Sequence, residues 1–379
     1  MSLPSTHSSW IIAAALVTLC SPVFAASPAN TSAKKAIDPL FTTIDAPLDP
    51  TNPLARRLKH HAREAGAHRW GAHPGEKPAQ LQTLGASVVA AEYAHAPKST
   101  WQIAHQDVTI DTDAAKSRLA VQLAVTVRTK AKGVTELTFR TDVIEKVVVK
   151  DSAGNPLTAT YKKSQPSVGL LTVKLPGALT PTVDHVLEVS YEAQLDCNAK
   201  GYRLRPCNFD ATYASVAFFR YYLGHGQVVR HPFTSDLHII TAHDRKAAAP
   251  GIPQGASKLS DGRLSWHFKQ PERTQNAGYS IAKYGVSGDD PNAGIGITGP
   301  YVQVYSQGDY AKNGNALVQL MREAIKFQGE RFGSFPWAGL NVIQMAKNFG
   351  GGYAPLSGIF MVEYVFATKS GGQGWIGTV

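Results

Sequence analysis

A long stretch of alternating side chains constrains the fold of this chain more than any other feature of its sequence. Leu119, Val121, Leu123, Val125 and Val127 occupy every second position, with polar or small residues between them. Successive side chains of a strand point to opposite faces of a sheet, so the alternation predicts a strand with one buried face.

Further stretches of this kind are separated by turn-rich segments rather than by helical patterns. One such segment, residues 151–156, has the sequence D-S-A-G-N-P, which is dense in turn-forming residues. Strands are predicted at residues 157–163, 169–175, 187–193, 233–241, 264–269 and 279–284. Many short strands without intervening helices favour an antiparallel architecture. We therefore predict a mainly β protein with a sandwich-like or saddle-like antiparallel β-domain at residues 101–285.

A different pattern begins beyond a linker rich in Gly, Asp and Pro at residues 287–300. Strands are predicted at 301–306 and 340–346. Between them, residues 315–332 carry the strongest helical pattern of the chain, because its apolar side chains fall on one side of a helix. Those side chains are Leu317, Leu320, Met321, Ala324 and Ile325, and the candidates for the N-cap are Asn313 and Asn315. We predict a small α+β unit at residues 301–366.

The N-terminal residues have the features of an export signal. Residues 1–25 contain no Asp, Glu, Lys or Arg, and an apolar stretch is followed by Ser21, Pro22 and small residues. These features predict a signal peptide at 1–25 and a secreted or periplasmic protein. The apolar stretch is too short to cross a bilayer, so we expect no transmembrane segment after its removal. Residues 26–100 have little periodicity and are predicted to be a linker with short helices.

Two cysteines remain after the predicted signal peptide, Cys197 and Cys207. An even number of cysteines in a chain bound for an oxidising compartment predicts a disulfide between them. The rival interpretation, a metal site, lacks a second cysteine pair or a nearby histidine. His238 and His243 flank the end of another predicted strand, but no third ligand is evident there. Solvent-facing histidines are therefore favoured over a metal site.

The formal net charge of +10 raises the question of an anionic partner. The basic residues are scattered, and no basic helix or aromatic–basic repeat typical of nucleic-acid-binding modules is present. We predict a solvated basic surface and no nucleic-acid partner.

Residues 332–336 have the sequence F-G-S-F-P and are followed by a predicted strand and a glycine-rich turn. This order resembles the aminopeptidase N-like zinc metallopeptidases (gluzincins), in which F-G-x-Y-P leads to a strand that ends in a Gly-rich motif. Gly351, Gly352, Tyr353 and Ala354 occupy the place of that motif. The resemblance implies that these four residues contribute to peptide binding. It also implies that residues 101–285 are the family's N-terminal β-domain and that 301–366 begin its thermolysin-like catalytic domain.

The resemblance also tells which catalytic groups to look for. In the family, two His and a downstream Glu hold zinc, and the Glu of H-E-x-x-H is the general base. No His of this sequence is followed by Glu, and Ala354 stands where the family has a Glu that binds the substrate's α-amine. We therefore assign no catalytic or metal-ligating residue, expect no cofactor in this chain, and expect no peptidase activity from it as given.

The last residues suggest an incomplete catalytic domain. Residues 367–379 have neither a strand nor a helix pattern, and we interpret them as an irregular tail of a truncated or frame-shifted chain. The missing core partners would leave Met345, Ile359, Phe360 and Val365 as an exposed apolar patch. Such a patch would promote self-association.

Two functions are compatible with the sequence. The first is an exported fragment that resembles an aminopeptidase N-like metallopeptidase and is inactive as given. The second is a secreted, non-catalytic β-module that binds a peptide or an anionic polymer at a cleft or an exposed sheet edge.

Overall fold

The computed structural model describes residues 99–165, 168–197, 207–210, 212–217, 221–226, 233–274, 278–292, 299–332, 335, 337–349, 352–355 and 357–366. The predicted signal peptide, residues 26–98 of the predicted linker, the predicted tail and Gly351 lie outside these ranges. The chain divides into two compact units. One comprises residues 97–322 and 337–367 and contains all the strands described below; the other comprises residues 1–96, 323–336 and 368–379.

Strands dominate the described residues. In chain order they are β1 (Trp101–Asp113), β2 (Arg118–Thr129), β3 (Glu136–Thr141), β4 (Ile144–Asp151), β5 (Thr158–Gln165), β6 (Val168–Lys174), β7 (Asp184–Gln194), β8 (Cys207–Phe209), β9 (Ala214–Val216), β10 (Gly224–His225), β11 (Phe233–Thr241), β12 (Lys246–Ala248), β13 (Ile252–Lys258), β14 (Leu264–Thr274), β15 (Tyr279–Ala282), β16 (Gly285–Gly288), β17 (Tyr301–Ser306), β18 (Gly339–Met345), β19 (Gly352–Tyr353) and β20 (Gly358–Val362). The α-helix α1 spans Gly314–Phe332. No helix of the described residues is long and apolar enough to cross a membrane.

The largest sheet has seven strands in the order β13-β14-β11-β1-β2-β7-β4. In β2, the alternating residues Leu119, Val121, Leu123, Val125 and Val127 are all buried. The period-two prediction is therefore confirmed. β1 and β11 run parallel, whereas the other neighbouring strands run antiparallel. This parallel pair joins distant parts of the chain, and no local pattern predicts it.

Two four-stranded sheets complete the strands of the predicted β-domain, in the orders β10-β3-β6-β5 and β12-β15-β9-β8. One hydrophobic core joins the three sheets. It contains Ile110 of β1, Val121 of β2, Phe139 of β3, Leu171 of β6 and Val216 of β9. Sheets that share one core in this way form the predicted layered architecture, and the mainly β class is confirmed.

The last sheet has five strands in the order β16-β17-β18-β20-β19. Its three central strands run parallel, and α1 connects β17 to β18 along the chain. The helix and both predicted strands occur within one residue of their predicted bounds. Two details differ: β16 takes Ser287 and Gly288 from the predicted linker, and Asn315 lies inside α1 rather than before it. Asn313 donates its amide to the carbonyl of Phe366 at 2.9 Å.

The predicted apolar patch is not exposed, so that prediction is wrong. Met345, Ile359, Phe360 and Val365 are each at most 6% exposed. The physical reason is that β18 and β20 are inner strands of their sheet. Side chains of the β-domain also cover them, since Met345 and Phe360 belong to a hydrophobic cluster that includes Tyr284.

The predicted disulfide is present. Cys197 and Cys207 are bonded, with their Cα atoms 4.8 Å apart. Cys207 is buried at the start of β8, so the bond fixes the end of this strand to the segment that follows β7.

Replacing both cysteines by serine should lower the free energy of unfolding by about 2–3 kcal/mol, because a short closed loop restricts the unfolded chain. Urea denaturation of the two proteins measures the difference. A reducing agent should produce a similar loss in the wild-type protein and none in the double variant. Equal effects of the reducing agent on both proteins would contradict a structural role of the bond.

Candidate functional site

The glycine-rich motif lies at the edge of the five-stranded sheet. β19 is the last strand in the order and pairs antiparallel with β20, where Gly352 opposes Met361 and Tyr353 opposes Phe360. The structure thus places Gly352 and Tyr353 in one strand and Ala354 directly after it. Gly351 lies outside the described residues.

Packing against the neighbouring strand holds Tyr353 in place. Its ring stacks on that of Phe360, with centroids 5.8 Å apart and an interplanar angle of 20°. The hydroxyl of Tyr353 is buried, and burial raises the pKa of this phenol. The ring is therefore a neutral, fixed surface and not an acid–base group near neutral pH.

An edge strand offers backbone groups to a ligand. In an antiparallel pair, successive residues direct their N–H and C=O groups alternately toward the partner strand and away from it. One of Gly352 and Tyr353 therefore directs these groups away from β20. An extended peptide can add to such an edge by main-chain hydrogen bonds.

A buried polar cluster ties β18 and β20 to the β-domain. The amide of Asn341 donates to the carbonyls of Ala249 and Gly251 at 2.8 and 2.7 Å. The hydroxyl of Ser357 accepts from the N–H of Gly251 at 2.8 Å and donates to Gln270 at 2.9 Å. These bonds hold the start of β20 and the middle of the sheet against residues 249–251.

Gly251 is the central residue of this cluster and has to be a glycine. Its φ is +95°, and a Cβ on it would lie 2.8 Å from the carbonyl oxygen of Lys269. The hydroxyl of Tyr301 donates to the Gly251 carbonyl at 2.8 Å. Burial raises the pKa of this phenol, so it remains a donor.

A second set of buried contacts lies near the end of β18. The side-chain amide of Gln344 donates to the hydroxyl of Tyr213 at 2.9 Å, and its oxygen accepts from the N–H of Gln307 at 2.9 Å. The backbone carbonyl of Gln344 accepts from the hydroxyl of Tyr284 at 2.6 Å. Burial raises the pKa of Tyr213 to about 12. These contacts position the strand from which the chain proceeds to β19.

Sequence reasoning missed this polar cluster. Asn341 and Gln344 lie in an otherwise apolar strand, which is a weak sign that each has a buried partner. The partners of Asn341 and Gln344 are about 90 and 130 residues away along the chain. Because these contacts are so distant in sequence, the local sequence pattern does not indicate them.

A separate cleft of about 670 Å³ is lined by Arg245 and Arg263, among other residues. Arg263 is paired with Asp111 at 2.6 Å and with Asp261 at 2.7 Å. Arg245 donates to the carbonyl of Thr212 at 3.3 Å. Both arginines are thus engaged within the protein, which disfavours the cleft as an anion site.

The structure supports no assignment of a metal ligand. No group of three His, Cys, Asp or Glu side chains within the described ranges is placed to hold a metal ion. His243, one of the two histidines considered from the sequence, is exposed. His238 lies in a different setting, described below.

Comparison with solved structures identifies the fold. The crystal structure of an M1 zinc metallopeptidase from Deinococcus radiodurans matches 70% of this chain and 61% of its own, with 14% identity and a TM-score of 0.53. A two-domain M1 zinc metallopeptidase mutant bound to L-arginine matches 74% of this chain and 64% of its own, with 12% identity and a TM-score of 0.56. No protein-family model matches the sequence, and no curated protein does.

These similarities confirm the predicted resemblance as a resemblance of fold. The chain spans less than two thirds of the length of the solved structures it matches. Because identity is so low, the roles of particular residues have to be argued from this chain's own side chains.

The buried cluster generates a prediction about Asn341, which is fully buried. Asn341→Ala removes both donated bonds, so the buried carbonyl of Ala249 loses this donor, whereas the carbonyl of Gly251 keeps the hydroxyl of Tyr301. We expect the free energy of unfolding to fall by about 2–4 kcal/mol in chemical denaturation.

Asn292 provides the control, because its exposed amide makes the same kind of bond to the carbonyl of Pro253 at 2.8 Å. Asn292→Ala should lower the free energy of unfolding by less than about 1 kcal/mol, since water replaces the lost bond. An equal loss in the free energy of unfolding for the two substitutions would show that the buried hydrogen bonds stabilise the protein no more than an exposed one.

Proposed function

We propose that this chain is the substrate-binding part of an exported zinc-metallopeptidase-like protein. Its β-domain and five-stranded sheet bind an extended peptide along β19. The single observation that carries the proposal is the place of Gly352 and Tyr353 at the edge of a sheet whose fold is that of M1 zinc metallopeptidases.

The similar structures support peptides as the ligand class. Both are zinc metallopeptidases by name, and one of them holds a free amino acid, L-arginine. A free amino acid is a product of peptide hydrolysis, so both names point to peptides as the class of ligand.

The chemistry of β19 supports recognition of the backbone rather than of a charged terminus. The residue after β19 is Ala354, which offers no carboxylate to pair with an α-ammonium group. We therefore expect binding that is insensitive to whether the peptide's N-terminus is free or acetylated.

Hydrolysis by these residues alone is not expected. The sequence contains no H-E-x-x-H, and the described residues do not fit a catalytic zinc site. No reaction step is therefore assigned to this chain. An aminoacyl-anilide assay with zinc analysis tests this directly, and turnover with stoichiometric zinc would contradict it.

Binding of an anionic polymer has less support. Many basic side chains of the described residues already have acidic partners within the protein. They are Lys116, Arg118, Arg128, Lys146, Arg263, Lys283 and Arg322. Such pairing lowers the positive potential that a polyanion would meet.

Backbone-methylated peptides test the proposal without altering the protein. Two versions of a six-residue peptide carry N-methyl groups at alternate residues, in opposite phases. The phase that blocks the peptide N–H facing β19 should bind about two- to tenfold more weakly, because the one outward-facing carbonyl of β19 loses its hydrogen bond. The other phase should bind like the unmodified peptide in fluorescence anisotropy.

A second pair of measurements tests whether the lack of a carboxylate at Ala354 determines how the protein binds the peptide's N-terminus. The wild-type protein should bind free and N-acetylated peptides equally, whereas Ala354→Glu should favour the free amine by a few fold. Equal binding of both methylated phases, or no binding of the unmodified peptide, would overturn the proposal.

A further inference from the structure

Three histidines and two aspartates lie together on the polar face of the seven-stranded sheet, away from β19. They come from three adjacent strands: His105 and Asp107 from β1, Asp236 and His238 from β11, and His267 from β14. The strand register sets Asp107 opposite Asp236 and His238 opposite His267. Residues opposite each other on neighbouring strands share a face.

Asp236 lies between two of the imidazoles. Its Oδ1 atom is 2.5 Å from Nε2 of His267, and its Oδ2 atom is 3.5 Å from Nε2 of His105. This carboxylate therefore connects β11 to both of its neighbouring strands.

His238 contacts two neighbouring strands at the same time. Its ring stacks on that of His267, with centroids 4.3 Å apart and an interplanar angle of 14°. Its Nε2 atom is also 3.5 Å from Oδ1 of Asp107, on the opposite neighbouring strand. The side chain of His238 is 30% exposed, so it exchanges protons with solvent while being partly shielded.

The other charged groups facing this cluster are few. Lys269 of β14 lies opposite Asp236 in the register. Farther along the face, Asp111 is already paired with Arg263. The edge strand β13 carries Lys258, which lies opposite Leu264 at the far end of the pair.

The cluster does not have the geometry of a metal site. Nε2 of His267 contacts Oδ1 of Asp236 and Nε2 of His105 contacts Oδ2, so the two nitrogens do not point to one position that a metal ion could occupy. This agrees with the finding that no three such side chains of the described residues could hold a metal ion.

We propose that His238 is a proton switch between β14 and β1. When neutral, it stacks on His267 and adds to the contact between β11 and β14. When protonated, it moves toward Asp107 on β1, whose Oδ1 atom is already 3.5 Å away in the stacked state, and the stack on His267 weakens. Acid then loosens β14 together with the edge strand β13.

The direction of the effect follows from the surroundings of His238. Burial and the neighbouring His267 lower the pKa of His238, while Asp107 and Asp236 act in the opposite direction. The unfolded or locally opened chain therefore binds a proton at a higher pH than the stacked state does. Stability of the stacked state is full above the ordinary histidine pKa of about 6.5 and falls as the pH drops below it.

Amide hydrogen exchange of residues 252–274, followed by mass spectrometry at about pH 7.5 and pH 5.5, tests the switch. After correction for intrinsic exchange, acid should accelerate exchange in β13 and β14 on the order of fivefold, because one protonation shifts a local opening equilibrium by only a small power of ten. His238→Gln, which cannot be charged, should abolish the acceleration.

His243→Gln is the matched control, since it removes an exposed histidine outside the cluster and should keep the full response. NMR titration of the His238 ring reports the switch even if His238→Gln folds poorly, and its midpoint should fall further in Asp107→Asn. Exchange that does not respond to acid in the wild-type protein, or that responds equally in His238→Gln, would overturn the proposal.

Discussion

The hydrogen bonds from Asn341 to the carbonyls of Ala249 and Gly251 are the contact on which the rest of the structure depends most. They join the middle of the five-stranded sheet to a turn of the β-domain in which only glycine fits at position 251. Buried amides and carbonyls are costly to leave unpaired. The contact therefore holds the five-stranded sheet in one position on the turn at residue 251 and stabilises that arrangement. The strands that follow Asn341 in the chain, including β19, start from this fixed point.

Much of the β architecture could be predicted from the sequence because sheets with one buried face enforce a period of two. The alternation in β2 and the apolar stripe of α1 are local signals, and both elements occur where they were predicted. β13 was missed because Pro253 and Gly255 interrupt its pattern. The structure shows why they are tolerated there: β13 is an edge strand of its sheet.

The failures have a common physical origin in distant contacts. The apolar residues of β18 and β20 were expected to be exposed because core partners from the rest of a catalytic domain were missing, yet they are buried, and Tyr284 of the predicted β-domain is among the residues packed with them. The parallel pairing of β1 with β11 and the partners of Asn341 are likewise invisible to local patterns. At the candidate site, the glycine-rich motif could be found from the sequence. The position of this motif at the edge of a sheet could not be predicted from the sequence, since the order of strands depends on the pairing of the whole sheet.

The fold of this chain and the side chains that it carries point to different parts of a peptidase's function. The fold is that of M1 zinc metallopeptidases, but Ala354 and the absence of H-E-x-x-H set this chain's own side chains apart from the catalytic pattern. What remains is a strand at the edge of its sheet, beside a buried polar cluster, and it is this strand that we propose as the peptide site. The most direct measurement is the amide NMR spectrum of the protein during titration with an unlabelled extended peptide. Shifts and slowed exchange centred on Gly352, Tyr353 and Ala354 are expected, whereas saturable binding that leaves these amides unchanged would contradict the assignment of β19 as the binding edge.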